Sequence, residues 1–429
     1  MLNVLVFPCG SEIGLELQRS LAKSTHFRLF GASSLPDHGR FAYANYREIK
    51  AWAKDRNFLG ELNQLLRKDN IRFLIPAHDS LIPCLAEAQE KGELAAEALV
   101  PSLTVARLCR SKSATYRRFT GLIPVPVLHQ ETDLEQASFP LFAKPDAGQG
   151  SRGASILLDT ESARQCLRLH PDRIIMNHLP GREYTVDCFS DHNGRLLFAR
   201  ARERLRISSG ISVRTRLLPA GTFQAMAEAI NRELTLTGAW FFQVKEDREG
   251  LPTLLEIAPR IAGASGINRA LGVNLPLLSL FDRLGKAVEI QENSLEGLEY
   301  DRSLAGSVSF PLDFTTLYVD LDDTLVRADG QIDTDLVKLL FQCLNRGIHL
   351  VLLTRHSQDP ALTLTQHRLD RIFDQVVWIP PGDTKSQYIR DRKAILIDDS
   401  FAERREVAEK LGIPVFDPAA VETILDKRY

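Results

Sequence analysis

The chain has 429 residues, too many for one hydrophobic core, and a prior of about 100 to 200 residues per domain predicts three units. Hydrophobic residues make up 44% and charged residues 25%, and the formal charge of -2 supplies no field to gather nucleic acid or an acidic membrane surface. Six cysteines, at 9, 84, 109, 166, 188 and 343, form no CxxC pair or metal spacing and read as free thiols of a reducing compartment. No basic leader precedes the first apolar run, and no run approaches the roughly 18 residues of a membrane span, so a cytoplasmic protein without membrane or nucleic-acid partners is expected.

Leu2 to Pro8 reads as a strand, Cys9 to Gly14 as a glycine turn and Leu15 to Leu21 as a helix, which is the opening of a doubly wound α/β unit. Arg28 to Gly31 gives a second strand, Phe58 to Lys68 a helix, and Ile71 to Pro76 a third strand ending at His78-Asp79. Ligands of such folds lie beyond the carboxyl ends of the strands, which makes Gly10, Asp79 and Ser80 candidates for substrate contact, with helix capping by Asp79 as the alternative. Val105 to Phe119 is helical and basic, and Lys112 near a helix start could reach a phosphate or serve as a solvated face.

Phe139 to Ala143 and Ala154 to Leu158 read as strands around Lys144 and a loop containing Gly148, Gly150, Ser151 and Gly153. Backbone amides freed by glycine, together with a lysine at the strand end, suit nucleotide phosphates; an ordinary glycine hairpin is the alternative. Arg173 to Met176 is a strand, and Asn177 to Gly181 a hinge, because Pro180-Gly181 cannot continue regular pairing. Arg182 to Phe189 is a strand with Glu183, Thr185 and Asp187 on one face, and Arg200, Arg202, Arg204 and Arg206 share a face of the next. Four guanidinium groups at about 7 Å intervals require intervening carboxylates or bound anions. Ala239 to Lys245 and Thr253 to Ile257 form adjacent strands that bring Gln243 toward Glu256, a pair of oxygen ligands suited to Mg2+.

These motifs, in this order over about residues 1 to 300, resemble the ATP-grasp superfamily, in the branch similar to the large subunit of carbamoyl phosphate synthetase. The resemblance implies a Rossmann-like pre-ATP-grasp domain over 1–108 and a two-lobed α+β ATP-grasp domain over 109–300, hinged near 176–181. It implies ATP binding by Lys112, Lys144, Gly150, Ser151, Met176, Asn177, Leu179, Glu183, Gln243 and Glu256, with Gln243 and Glu256 on Mg2+. Arg260, in Glu256-Ile257-Ala258-Pro259-Arg260, would stabilise the transferred phosphoryl group, and Arg202, Arg204, Gly10 and Asp79 would bind substrate. Two departures stand out: Ala258 occupies the usual asparagine position and Met176 the place of an acid. The implied chemistry is a carboxylate-amine ligase acting through an acylphosphate, so a carboxylate and an amine are the expected small-molecule partners. A nucleotide-binding regulatory module and a kinase-like domain are the alternatives.

After an irregular stretch, taken as a linker over 301–314, Thr316 to Val319 leads into Asp320-Leu321-Asp322-Asp323-Thr324-Leu325. Thr354 ends the strand His349 to Leu353, Lys385 follows Gly382-Asp383-Thr384, and Asp398-Asp399 ends Ala394 to Ile397. Two carboxylates so close at a strand end need a cation or a shared proton. The four motifs are similar to those of the haloacid dehalogenase superfamily, over 315–429, which implies a capless α/β phosphatase domain acting on a phosphorylated substrate. By that resemblance Asp320 is the nucleophile, Asp322 the general acid and base, Thr354 and Lys385 phosphate ligands, and Asp320, the Asp322 carbonyl, and Asp398 or Asp399 the Mg2+ site, where Mn2+ could substitute. A homo-oligomer is allowed by the sequence.

Overall fold

A computed structural model describes residues 1–148, 150, 153–293, 295, 297–303 and 312–428. Their contacts divide the chain into two compact units, Met1–Leu304 and Ala305–Tyr429. Among the described residues no helix is long and apolar enough to cross a membrane.

The first unit opens with a five-stranded parallel sheet, in the order Asn45–Glu48, Phe27–Ser33, Leu2–Phe7, Ile71–Pro76, Glu97–Ala98. Val4, Leu5 and Val6 are fully buried, as expected of a central strand covered on both faces. The helix Glu12–Leu21 starts three residues before the predicted Leu15, because Ser11 caps it, its Oγ accepting from the Gly14 amide at 3.0 Å. The predicted domain boundary at 108 falls inside the helix Leu103–Arg110.

Two further sheets complete this unit. A four-stranded antiparallel sheet holds Leu128–His129, Arg173–Asn177, Leu141–Pro145 and Ser155–Leu157 in that order. The strand around Lys144 begins two residues later than predicted because Pro140 has no amide to pair. A six-stranded antiparallel sheet runs Pro252–Ala258, Gly238–Glu246, Glu183–Ser190, Leu196–Ser208, Ile211–Leu217, Glu299–Asp301. Period two sorts its faces: Tyr184, Val186, Cys188, Trp240, Phe242 and Val244 pack with the helix Gln224–Leu234 in one core, leaving Glu183, Thr185, Asp187 and Gln243 on the other side. Residues 301 and 302 were expected in a linker. Instead Asp301 pairs with Arg214 and the Arg302 amide donates to the Val213 carbonyl at 2.7 Å, so the sheet continues to that point.

The second unit is a five-stranded parallel sheet in the order Gln375–Trp378, His349–Thr354, Thr316–Val319, Ala394–Ile397, Val415–Phe416. Leu317 and Val319 face one core with the helix Thr334–Asn345, and Tyr318 faces another with the helix Phe401–Leu411. Between Thr324 and Thr354 the chain holds a short turn, that helix and one strand, which leaves no inserted cap.

Candidate functional site

Lys144 lies on Leu141–Pro145, partly buried, with Nζ donating to the Tyr116 hydroxyl at 2.8 Å. Tyr116 in turn donates to the Leu255 carbonyl at 2.7 Å, so a helix and a strand of the larger sheet fix the ammonium group. Burial, reinforced by the neighbouring charge of Lys112, pulls Lys144 down to about 8 against the opposing pull of Glu256 and Glu183. Lys112 begins the helix Lys112–Phe119 and its Nζ donates to the Gly148 carbonyl at 2.9 Å. Asp146 holds that helix to the loop, accepting from Ser111 Oγ and the Ser113 amide at 2.7 Å each. Neither Tyr116 nor Asp146 was singled out from sequence: Tyr116 has no local signature, whereas an acid after a strand end could have been read as a cap.

Lys112, Lys144, Gly148, Gly150, Met176, Leu179, Glu183, Arg204, Gln243 and Glu256 line one open cleft with about 850 Å³ of empty space. Met176 is fully buried among apolar neighbours that include Leu179. Asn177 ends its strand and does not line this cleft, its Oδ1 being buried without a partner among the described residues. Ser151 lies outside the described residues. Gln243 and Glu256 are register partners, as expected, and both line the cleft. Arg204 connects them to the loops: its Nη1 reaches Glu183 and Gln243 Oε1, the latter at 3.1 Å, and its Nη2 donates to the Gly210 carbonyl at 2.8 Å.

A second cavity lies next to the first and shares Gly150, Arg204, Gly210, Gln243 and Glu256 with it as lining. Its walls include Ser11, Glu12, Asp79, Thr185, Arg202, Arg260 and Arg302. The arginine strand resolves into pairs: Arg200 with Glu292 at 2.9 Å, Arg202 with Asp187 at 2.9 Å, Arg204 with Glu183, and Arg206 with Asp301 at 3.2 Å. Carboxylates therefore separate the guanidinium groups, while Arg202 and Arg204 keep a face on the cavity. Arg202 is 2% exposed and its Nη1 has no partner among the described residues.

Two expectations change here. Asp79 caps no helix, since the N-cap position of Leu81–Glu90 is Ser80 and no side chain caps it; the Asp79 carboxylate instead takes Arg260 Nε and Nη2 at 2.6 and 2.7 Å. Burial would raise Asp79, but Arg260 holds it below the usual carboxylate range. Arg260 is thus held in a fixed pair while it still lines the second cavity. Gly10 does not line the cavity, because the Asp37 carboxylate covers it: an added Cβ would lie 2.0 Å from Asp37 Cγ. Ser11 and Glu12, the next two residues, take its place.

In the second unit Lys385 Nζ donates to Asp320 Oδ1 at 2.6 Å and Asp398 Oδ2 at 2.5 Å, all three buried. Burial pushes Asp320 up to about 7, with Lys385 opposing and Asp398 adding to the rise. Burial would lower Lys385, but the two carboxylates hold it above its ordinary value. Carboxylate oxygens of Asp320, Asp398 and Asp399 all lie within 4.8 Å of one another, an all-oxygen set that fits Mg2+. Asp322 does not join that group through its side chain. Its carboxylate turns outward to His356 Nδ1, at 2.8 and 3.0 Å, and His356 Nε2 meets Thr363 Oγ1 at 2.9 Å. His356 was missed in the sequence, although it follows Thr354 by two residues at a strand end. Thr354 is fully buried, and its Oγ1 accepts from the His356 amide at 3.1 Å.

Residues 170–302 match a family model described as ATP-grasp in the biosynthetic pathway with Ter operon. The first unit has the ATP-grasp fold. Among solved structures, the biotin carboxylase domain of Hydrogenobacter thermophilus 2-oxoglutarate carboxylase, bound to MgADP, ADP and bicarbonate, aligns with a TM-score of 0.57 at 13% identity, over 68% of this chain and 71% of that one. An L-amino acid ligase from Bacillus licheniformis aligns at 0.54 and 18% identity, over 67% and 75%. Rhizobium etli pyruvate carboxylase aligns at 0.56 and 16% identity, over 67% of this chain but only 29% of that chain, so the ATP-grasp portion here spans under a third of that protein. No curated protein matches the chain.

Proposed function

We propose that the chain is a bifunctional enzyme: an ATP- and Mg2+-dependent carboxylate-amine ligase in the first unit and an aspartyl-phosphate phosphatase of the haloacid dehalogenase type in the second. The observation that carries the ligase reading is that the two cavities adjoin and share one set of lining residues. A cleft with Lys144, Lys112 and Glu256 adjoins one walled by Arg202 and Arg302, and Glu256, Gln243 and Arg204 line both. ATP in the first would present its γ-phosphoryl group to a carboxylate in the second. Lys144, oriented by Tyr116, neutralises phosphate charge there, and Glu256 with Gln243 would hold Mg2+, which spreads the charge of the moving phosphoryl group. Arg202, short of one hydrogen-bond partner, and Arg204 are the groups suited to the substrate carboxylate. An amine then displaces phosphate from the acylphosphate.

For the second unit, the buried Asp320, Lys385 and Asp398 cluster supports the reading. Asp320 attacks phosphorus and the leaving oxygen takes a proton from Asp322, which His356 orients; water then cleaves the aspartyl-phosphate with Asp322 as base. Lys385 and Thr354 hold the phosphoryl oxygens, and Asp320, Asp398, Asp399 and the Asp322 carbonyl would hold Mg2+.

A second reading of the first unit is a regulatory nucleotide-binding module, favoured by Ala258, which is buried against Phe241 and Ala262 and offers no oxygen to a metal. The two separate by supplying ATP, Mg2+ and mixed metabolites. Turnover lost in Lys144→Ala and Glu256→Ala supports the ligase, whereas tight ATP binding without turnover supports the module. Phosphate release from monoesters that persists in Asp320→Asn would remove the phosphatase assignment.

A further inference from the structure

The acid-lysine site of the second unit has no inserted cap, so beyond the phosphate a substrate meets the rim of the sheet itself. We propose that Trp378 forms an aromatic subsite that selects phosphomonoesters carrying a planar aromatic or heteroaromatic ring. The proposal rests on the phosphatase reading and deepens it by naming a substrate class.

Trp378 is the last residue of Gln375–Trp378 and the register partner of Thr354. Its strand is two places from Thr316–Val319, the strand that delivers Asp320. Neighbouring strands lie about 4.8 Å apart, so the Trp378 backbone is roughly 10 Å from that of Asp320, within the span from phosphorus to ring in a small phosphomonoester. The indole is 52% exposed, yet its position is set: Nε1 donates to the His356 carbonyl at 2.8 Å, and the His356 ring holds Asp322. A half-exposed indole forgoes part of the burial that usually accounts for tryptophan in a fold, while the loop that carries the acid-base pair fixes its orientation.

On the other side of the central strand, Phe401 begins the helix Phe401–Leu411 two residues after Asp399 and is 67% exposed. The Arg405 guanidinium lies 5.8 Å from its ring centroid. Isolated exposed apolar residues are ordinary on protein surfaces. Trp378 stands at the carboxyl end of the strand two places from the catalytic one, and Phe401 just beyond the carboxyl end of the strand next to it on the other side, the edge at which ligands of open α/β sheets bind. A ring face tolerates any planar partner, and stacking of this kind is sensitive to truncation to alanine.

The test compares two alkyl phosphates that differ by a ring: ribose 5-phosphate and a nucleoside 5′-monophosphate. Their kcat/KM ratio is measured in wild-type protein, Trp378→Ala and Trp378→Phe. We expect a wild-type ratio favouring the nucleotide by about tenfold, close to one in Trp378→Ala and largely kept in Trp378→Phe. A wild-type ratio near one, or one unchanged in Trp378→Ala, overturns the subsite. Asp320→Asn serves as the separate check on the phosphatase: undiminished release from both substrates sinks that reading. If neither substrate is hydrolysed, quenching of tryptophan fluorescence decides the subsite. The nucleotide must quench wild-type protein and not Trp378→Phe, and absence of that quench counts against the proposal.

Discussion

Lys144 shows how a buried charge can oppose stability. Its ammonium group is held by Tyr116 in a cleft that lowers its pKa to about 8, so below that pH the native state keeps a charge that burial disfavours. The sign follows from proton counting. Between about 8 and the unfolded value the unfolded chain binds more protons, so this group makes stability rise with pH across that window. Lys144→Met is therefore expected to stabilise the first unit by about 2 kcal/mol at pH 7 while abolishing ATP binding. The gain should shrink through pH 8 and vanish above about 10.5. Denaturant titrations of both proteins at several pH values check this. A Lys144→Met protein less stable than wild type at pH 7 would show that the Tyr116 contact outweighs burial.

Among elements, the hairpin between Leu196–Ser208 and Ile211–Leu217 meets the glycine loop after Lys144 at Gly210 and Gly150. Gly210 has φ +75°, and an added Cβ would lie 2.3 to 2.6 Å from Gly150 backbone atoms. Gly250 has φ +82° with nothing within 4 Å, which makes it a matched control for backbone strain alone. Each glycine-to-alanine change should cost about 1 to 2 kcal/mol of stability. Only Gly210→Ala should raise the ATP KM, by about tenfold, because only it displaces the loop. Equal KM values for the two variants would detach the hairpin from nucleotide binding.

Much at this scale was legible in the sequence. Alternation placed Glu183, Thr185 and Asp187 on one face, and two strands joined by a short turn brought Gln243 to Glu256. Local pattern could not show the pairing of Asp79 with Arg260 across 181 residues, nor Tyr116 under Lys144, because each depends on how separate elements pack. The strand Glu299–Asp301 was hidden for another reason. Its Glu-Tyr-Asp sequence carries no apolar run, and its acids pair with Arg206, Arg214 and Arg216.

For the whole molecule, the contacts fall into two units, each with its own buried clusters. A single midpoint is then not a well-defined quantity, and calorimetry is expected to resolve two unfolding transitions. ATP with Mg2+ should raise one of them, by mass action on the first unit, and Lys144→Met should remove that rise without moving the other. One transition, shifted as a whole by ATP, would contradict two independently stable units.

The central claim is that the first unit activates a carboxylate with ATP. Hydroxylamine trapping tests it most directly: protein, ATP, Mg2+ and a panel of amino acids and dicarboxylates are incubated with hydroxylamine, and hydroxamate is measured together with the adenine nucleotide released. Hydroxamate is expected in proportion to ADP for at least one carboxylate, and Lys144→Ala and Glu256→Gln should each abolish it. Hydroxamate formed in proportion to AMP, or undiminished in those variants, would contradict the claim.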